Sequence, residues 1–107
     1  MSDDPILAFT ATLLAESEEG DMLASHLALP PDAAERLAAY ELHQRILTGK
    51  RRAFGSVKVN ARIGTSEWST SVFPQKDGRW LLPVKSAVRR AESIDEGGEV
   101  RAELTLL

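Results

Sequence analysis

The sequence contains no cysteine among its 107 residues, and this absence excludes several kinds of chemistry. Without thiolates the chain cannot form disulfides, cysteine-ligated zinc sites, iron–sulfur centres or a cysteine nucleophile. The acidic N-terminal residues 1–5 lack the basic start and apolar run of a signal peptide. No apolar run approaches the ~18 residues that cross a bilayer. We therefore expect a cytoplasmic protein without a membrane partner.

Histidine is scarce as well, since His26 and His43 are the two in the chain and neither has a partner at ligand spacing. Many of the acidic residues lie in predicted polar turns, at residues 16–21 and 95–96. A catalytic pair of carboxylates needs burial or a crowded like charge to make its two pKa values differ, and an exposed turn provides neither. The chain has no Gly-x-Ser-x-Gly motif, and the glycines at 97–98 precede a strand rather than a helix. These absences predict a protein that is not an enzyme and that uses no metal or other cofactor.

Charge is divided unevenly along the chain. Residues 1–49 carry nine acids and two bases, whereas residues 50–107 carry eleven bases and seven acids, for a net charge of −3. The length fits a single domain over residues 1–107. Two halves that lie side by side in one domain would neutralise each other. The alternative is a basic face that is kept for a polyanion.

Alternating apolar residues, or short apolar runs, predict the strands. Six segments qualify, at residues 6–15, 22–29, 56–63, 68–73, 79–82 and 100–106. Gly64-Thr65-Ser66 is short enough to join the third and fourth segments as a hairpin, and Asp77-Gly78 is a strong turn signal. The pattern therefore predicts a chain in which strands dominate.

Two helices interrupt the strands. The prolines at 30–31 and Asp32 suit the first turn of a helix, and Gly49 suits its end. The apolar stripe that we expect to face the core consists of Ala34, Leu37, Ala38, Leu42 and Ile46. A shorter amphipathic helix follows Pro83, with the apolar residues Val84, Ala87, Val88 and Ala91. The resulting fold class is all-β, with two short helices.

An internal similarity links the two halves of the sequence. Leu29-Pro30 and Leu82-Pro83 each precede an Ala, an Arg and an Ala at matching positions, with an offset of 53 residues. In both places a predicted strand ends at Leu-Pro and a helix follows. We interpret the similarity as an internal repeat, which would give two halves about a pseudo-twofold axis.

Several stretches resemble a small bacterial family, domain-of-unknown-function family 1905. They are Phe54-Gly55-Ser56-Val57-Lys58-Val59, Trp68-Ser69-Thr70-Ser71-Val72-Phe73-Pro74, Asp77-Gly78-Arg79-Trp80-Leu81-Leu82-Pro83-Val84-Lys85, Val88-Arg89-Arg90-Ala91 and Gly97-Gly98-Glu99-Val100. Residues 9–13 resemble the opening strand of that family. Its members are often found upstream of a YdeI/OmpD-associated (bacteriocin-protection) module, and the family has no activity that could be carried over to this chain.

The resemblance implies a small double-split β-barrel. The same barrel occurs in the AbrB/MazE DNA-binding domains, where two chains exchange hairpins to complete it. Residues 82–85, Arg89 and residues 97–100 are similar to the strand–proline–helix–Gly–acid–Val pattern of those domains. In this chain both halves would be covalently joined, so the resemblance and the internal repeat together predict a monomer.

Two tryptophans are candidates for a pocket. Trp68 and Trp80 fall in the inward register of neighbouring strands, which favours packing in the core. The alternative is a pocket at the mouth of the barrel, in which an aromatic ring stacks on a ligand.

Basic side chains give the second set of candidates. The candidate polyanion contacts are Lys76, Arg79, Lys85 and Arg89, with Arg90 beside them. The chain is nevertheless acidic overall, and affinity for phosphates normally needs a stronger basic surface. We therefore predict a non-catalytic module that binds a protein or a small ligand. Weak nucleic-acid binding or a regulatory role is the alternative.

Overall fold

The computed structural model describes residues 6–17, 23–50 and 55–107. These residues form six strands and two helices: β1 (Ile6–Ser17), β2 (Leu23–Ala28), α1 (Pro31–Thr48), β3 (Val57–Ile63), β4 (Ser66–Pro74), β5 (Trp80–Pro83), α2 (Ser86–Ala91) and β6 (Glu99–Leu106). The predicted number and order of elements are confirmed within the described residues. Most of the acidic turn predicted at 16–21, the basic pair at 51–52, and Phe54 lie outside them.

The strands form one closed antiparallel barrel in the order β1-β2-β5-β4-β3-β6. The barrel closes where β6 pairs with β1, in a register that sets Leu7 opposite Leu104. Every second side chain points inward, so Val57, Val59, Ala61 and Ile63 of β3 are all buried. The largest fully buried side chains are Leu13, Leu27, Leu37, Leu82, Leu104, Val59 and Val72. The predicted mainly β barrel is confirmed.

The barrel has an internal twofold relation. Because the barrel is closed, each pair of neighbouring strands becomes another pair of neighbours when β1, β2 and β3 are exchanged with β4, β5 and β6. The backbone follows the same relation, because Leu29 N donates to Trp80 O and Val84 N donates to Ser25 O, both at 2.9 Å. Each of these two bonds becomes the other when residues 55 positions apart are exchanged.

In β2 and β5, and at the starts of α1 and α2, equivalent residues are therefore 55 positions apart, and the predicted offset of 53 is wrong. Leu27 and Leu82 are counterparts in this relation, and they are also Cα partners between β2 and β5. The shared Leu-Pro misled the sequence comparison because its two prolines have different structural roles. Pro30 is the N-cap of α1, whereas Pro83 is the last residue of β5 and pairs with His26.

Helix α1 begins and ends as its sequence predicts. Pro31 occupies the first turn, where its missing N–H leaves no helical hydrogen bond unmade. Gly49 ends the helix with φ 70°, and its N–H donates to Arg45 O at 2.8 Å. Glycine adopts this left-handed conformation without the strain that a Cβ would bring.

Three residues of the predicted apolar stripe of α1, Ala38, Leu42 and Ile46, face away from the core. Ala33 and Leu37 are buried, but Ala38 is exposed, and Leu42 and Ile46 are 48% and 71% exposed. The reason is helical geometry. At about 100° per residue, Leu42 and Ile46 lie about 140° and 180° around the axis from Leu37.

Helix α2 also has a narrower buried face than predicted. Val88 is buried, and Val84 is buried just before the helix, while Ala87 and Ala91 are exposed. Neither helix among the described residues is both long and apolar enough to cross a membrane.

Candidate functional site

Trp68 and Trp80 lie in the core, as their inward register predicts. Trp68 on β4 is 8% exposed and Trp80 on β5 is 6% exposed. The indole Nε1 of Trp68 is buried and has no hydrogen-bond partner within the part of the chain that the structure describes. Neither ring lines the two surface grooves found near α1 and α2.

Arg79, a candidate polyanion contact, is engaged within its own turn. Its Nε donates to Asp77 Oδ2 at 2.8 Å, and its backbone N–H donates to Asp77 Oδ1 at 3.0 Å. The backbone N–H, more than the guanidinium, holds the pKa of Asp77 below its ordinary value. Lys76 is exposed on the same turn.

Arg89 is engaged as well. Its Nη1 donates to the Oγ of Ser25 at 2.8 Å, which connects α2 to β2. Ser25 is buried, and the Nε of Arg89 is buried without a partner among the described residues. Lys85, the N-cap residue of α2, is exposed. Two of the four candidate cations are therefore already bound by acceptors of this chain.

A groove that the sequence did not predict lies between α1 and β3, with a volume of about 420 Å³. We call it the α1–β3 groove. Residues from the second half of α1 form one wall, and Val57, Lys58 and Leu107 contribute to the other. The hydroxyl of Tyr40 donates to Leu107 O at 3.0 Å, so it ties the helix to the end of β6.

The α1–β3 groove carries an excess of positive charge. Among the described side chains that line it, Arg45, Lys50 and Lys58 are cationic and Glu41 is anionic. Glu41 is paired with Arg45, whose Nη2 lies 3.4 Å from Oε1. The two lysines take part in none of the ion pairs seen among the described residues. An anion in the groove would therefore meet unneutralised cationic side chains.

Sequence reasoning missed this groove because its walls come from separate elements. Lys50 follows a helix and Lys58 points outward from a strand, and neither position belongs to a motif. One signal was available, since Tyr40 and Gln44 follow Leu37 at i+3 and i+7 and so share its side of the helix.

The described ranges 6–17, 23–50 and 55–107 contain no cluster of three histidine or acidic side chains that could hold a metal ion.

The family described as Domain of unknown function (DUF1905) matches residues 9–104. The chain belongs to this family. The match runs from Phe9 on β1 to Leu104 on β6, so the DUF1905 region contains both halves of the barrel and most of the α1–β3 groove. No match was found among curated proteins. The description of DUF1905 names no activity.

Proposed function

We propose that this DUF1905 domain is a non-catalytic binding module that takes a small organic anion in the α1–β3 groove. The observation that carries the proposal is the charge of the described side chains that line the groove, where Arg45, Lys50 and Lys58 outnumber Glu41. The volume of about 420 Å³ falls within the range of small-molecule sites.

The lining also suggests the shape of the ligand. Leu107 offers apolar surface, while the two lysine ammonium groups offer polar contacts. A carboxylate with an attached apolar group fits this combination, because its charge meets the lysines while its body covers the apolar wall. The groove contains no side chain to which we assign a catalytic role.

The test is a titration with benzoate, using benzamide as a neutral molecule of the same shape. We expect benzoate to shift the backbone amide resonances of residues around the groove, and benzamide to shift them much less. Lys58→Gln should weaken benzoate binding several-fold. The matched control is Lys76→Gln, which removes an exposed lysine from the β4–β5 turn and should leave binding unchanged. Equal shifts with the two probes, or none with either, would contradict the proposal.

Nucleic-acid binding is the alternative function, and it rests on the proposed kinship with AbrB/MazE barrels. The twofold strand order supports the kinship, since each half of this chain would correspond to one of the two chains of those domains. The engagement of Arg79 by Asp77 and of Arg89 by Ser25 argues against a phosphate-binding face. We therefore rank this function second.

The setting of the domain is also part of the proposal. We infer a cytoplasmic bacterial protein that folds as a monomer, because the barrel closes within one chain. The proposed genomic context is a position upstream of a YdeI/OmpD-associated module.

A further inference from the structure

A groove of about 380 Å³ lies beside α2 and the turn that follows it. We call it the α2 groove. Two arginines, two serines and one acidic residue are among the described residues that line it. The lining residues are Ser86, Arg89, Arg90, Ser93, Ile94 and Asp95. We propose that the α2 groove binds the phosphate group of a small phosphate monoester, separately from the anion site proposed in the α1–β3 groove.

The turn after α2 brings residues 93–95 beside the two arginines. Two backbone bonds of a kind that ends many helices hold this turn in place. Ile94 N donates to Arg89 O at 2.9 Å. Ser93 N donates to Arg90 O at 3.3 Å. Both carbonyl oxygens therefore have donors within the turn, and they do not present unpaired negative ends of peptide dipoles to an anion in the groove.

Ser93 stands at the position of this turn where glycine is usual. Its φ is 55°, in the left-handed region, and every other residue of positive φ in the described ranges is a glycine. Glycine adopts this conformation without strain, whereas serine at the same position destabilises the fold. Strained residues cluster at functional sites. The hydroxyl of Ser93 is the group that glycine would lack, and it can donate a hydrogen bond to an anion.

Arg89 supplies a positive charge whose position is already fixed. Its Nη1 donates to the neutral hydroxyl of Ser25 at 2.8 Å, which holds the guanidinium without compensating its charge. A guanidinium has five N–H donors, and the bond to Ser25 uses one of them. Because the side chain is held, an anion does not have to order it on binding. The same bond keeps Arg89 half-buried, out of reach of a nucleic-acid backbone but open to a small phosphate that enters the groove.

The charges of the groove favour phosphate over a carboxylate. Arg90 is exposed and takes part in none of the ion pairs seen among the described residues. With Arg89 it outnumbers the carboxylate of Asp95. A phosphate monoester carries about two negative charges at pH 7 and has three terminal oxygens. It can therefore accept from both guanidinium groups and a serine hydroxyl at once, whereas a carboxylate has one charge and two oxygens.

Titration of the protein with glycerol 3-phosphate tests the proposal. We expect the backbone amide resonances of residues 86–95 to shift and to reach saturation. Glycerol is the neutral control and should leave these resonances unshifted. Acetate carries a single negative charge and should bind several-fold more weakly. Equal affinities for acetate and glycerol 3-phosphate, or no saturation at residues 86–95, would overturn the proposal.

Two pairs of variants test the charges. Arg90→Gln should weaken binding of glycerol 3-phosphate several-fold, whereas Lys85→Gln removes an exposed cation outside the lining and should have a much smaller effect, because salt screens it from the ligand. Asp95→Asn should strengthen binding, since it removes the carboxylate that repels phosphate. Glu96→Gln, at the exposed residue next to it, is the matched control. A groove variant that behaves like its control would contradict the proposal.

Ser93→Gly separates a binding role from a structural one. Relief of the backbone strain should raise the melting temperature by a few degrees. Loss of the hydroxyl should at the same time weaken binding of glycerol 3-phosphate several-fold. A stabilised variant that binds glycerol 3-phosphate as tightly as the parent would overturn the proposal.

The two proposed sites can be tested independently. Lys58→Gln removes a cation of the α1–β3 groove and should leave the response of residues 86–95 to glycerol 3-phosphate unchanged. Arg90→Gln should likewise leave benzoate binding in the α1–β3 groove unchanged. Failure at one groove would therefore be distinguished from failure at the other.

Discussion

The carboxylate of Glu92 accepts a hydrogen bond from the hydroxyl of Ser66, whose Oγ lies 2.6 Å from Oε2. The same oxygen accepts a longer bond from Thr65 Oγ1 at 3.4 Å. Glu92 directly follows α2, and Ser66 begins β4, so the contact joins α2 to the turn between β3 and β4. Gly64, with φ +59°, lies directly beneath the carboxylate.

Gly64→Ala should therefore lower the free energy of unfolding by about 2 kcal/mol, which chemical denaturation can measure. A Cβ at Gly64 would collide with the side chain of Glu92, and the positive φ would strain any L residue. Gly49→Ala is the matched control, because its φ is +70° and its added Cβ would meet open space. It should cost about 1 kcal/mol, from strain alone. In a Glu92→Ala background, Gly64→Ala should cost no more than this control.

Trp80→Ala should lower the free energy of unfolding by roughly 3–5 kcal/mol. The indole is 6% exposed, so its removal leaves a cavity in the barrel. Leu47→Ala removes a side chain that is 66% exposed and should change stability by less than about 0.5 kcal/mol. A Trp80→Ala protein with the melting temperature of the parent would mean that this ring contributes little to the core.

Ser25→Ala should destabilise the domain by about 1.5–3 kcal/mol, the usual worth of a hydrogen bond to a charged group. The substitution removes the acceptor of Arg89 Nη1 and leaves a half-buried guanidinium with one partner fewer. Arg90→Ala, on the exposed residue next to it, should be nearly neutral. Urea denaturation of the three proteins makes the comparison, and equal stabilities would remove the assigned role of Ser25.

The carboxyl of Asp77 should titrate below its ordinary pKa in an NMR pH series. The lowered pKa means that the ionised form is favoured in the folded state, so its stabilising effect is present at neutral pH and is lost as the pH falls through the folded-state pKa. Arg79→Gln should return the pKa only part of the way, because the largest cause is the backbone N–H of residue 79. Full return to the ordinary value would assign the shift to the guanidinium instead.

Duplex DNA should bind no more tightly than ~10⁻⁴ M at physiological salt, the weak end of nonspecific binding. Arg79 and Arg89 already have partners in this chain, and the chain is acidic overall. Fluorescence anisotropy with a labelled duplex measures this. Submicromolar binding that weakens on Lys76→Ala and Arg79→Ala would reverse the ranking of the two functions.

The strands could be predicted from sequence because each side chain of a barrel strand has one of two environments. On β3 and β6 the apolar residues alternate without a break, and all of them are buried. The buried face of α1 was harder to predict, because the helix has apolar residues on more than one side and only one side contacts the barrel. Leu37 is covered by the barrel, but Leu42 lies on the other side of the same helix, and composition does not distinguish the two.

For the candidate site, the sequence predicted on which side of a strand a single residue lies, but not which distant residues contact each other. Trp68 and Trp80 were placed correctly because strand register decides their direction. The engagement of Arg89 by Ser25 joins residues that are 64 positions apart, and no local pattern reports it. The α1–β3 groove depends in the same way on how α1 lies across the barrel, which follows from tertiary packing.

The twofold relation has a consequence for how the two halves can vary. In a barrel built from two identical chains, a mutation that lengthens one helix lengthens both. Here the equivalent helices are encoded separately, and α1 has 18 residues where α2 has six. The α1–β3 groove, which the longer helix creates, therefore occurs once per barrel. A ligand that binds there should saturate at one molecule per chain, despite the symmetry of the strands.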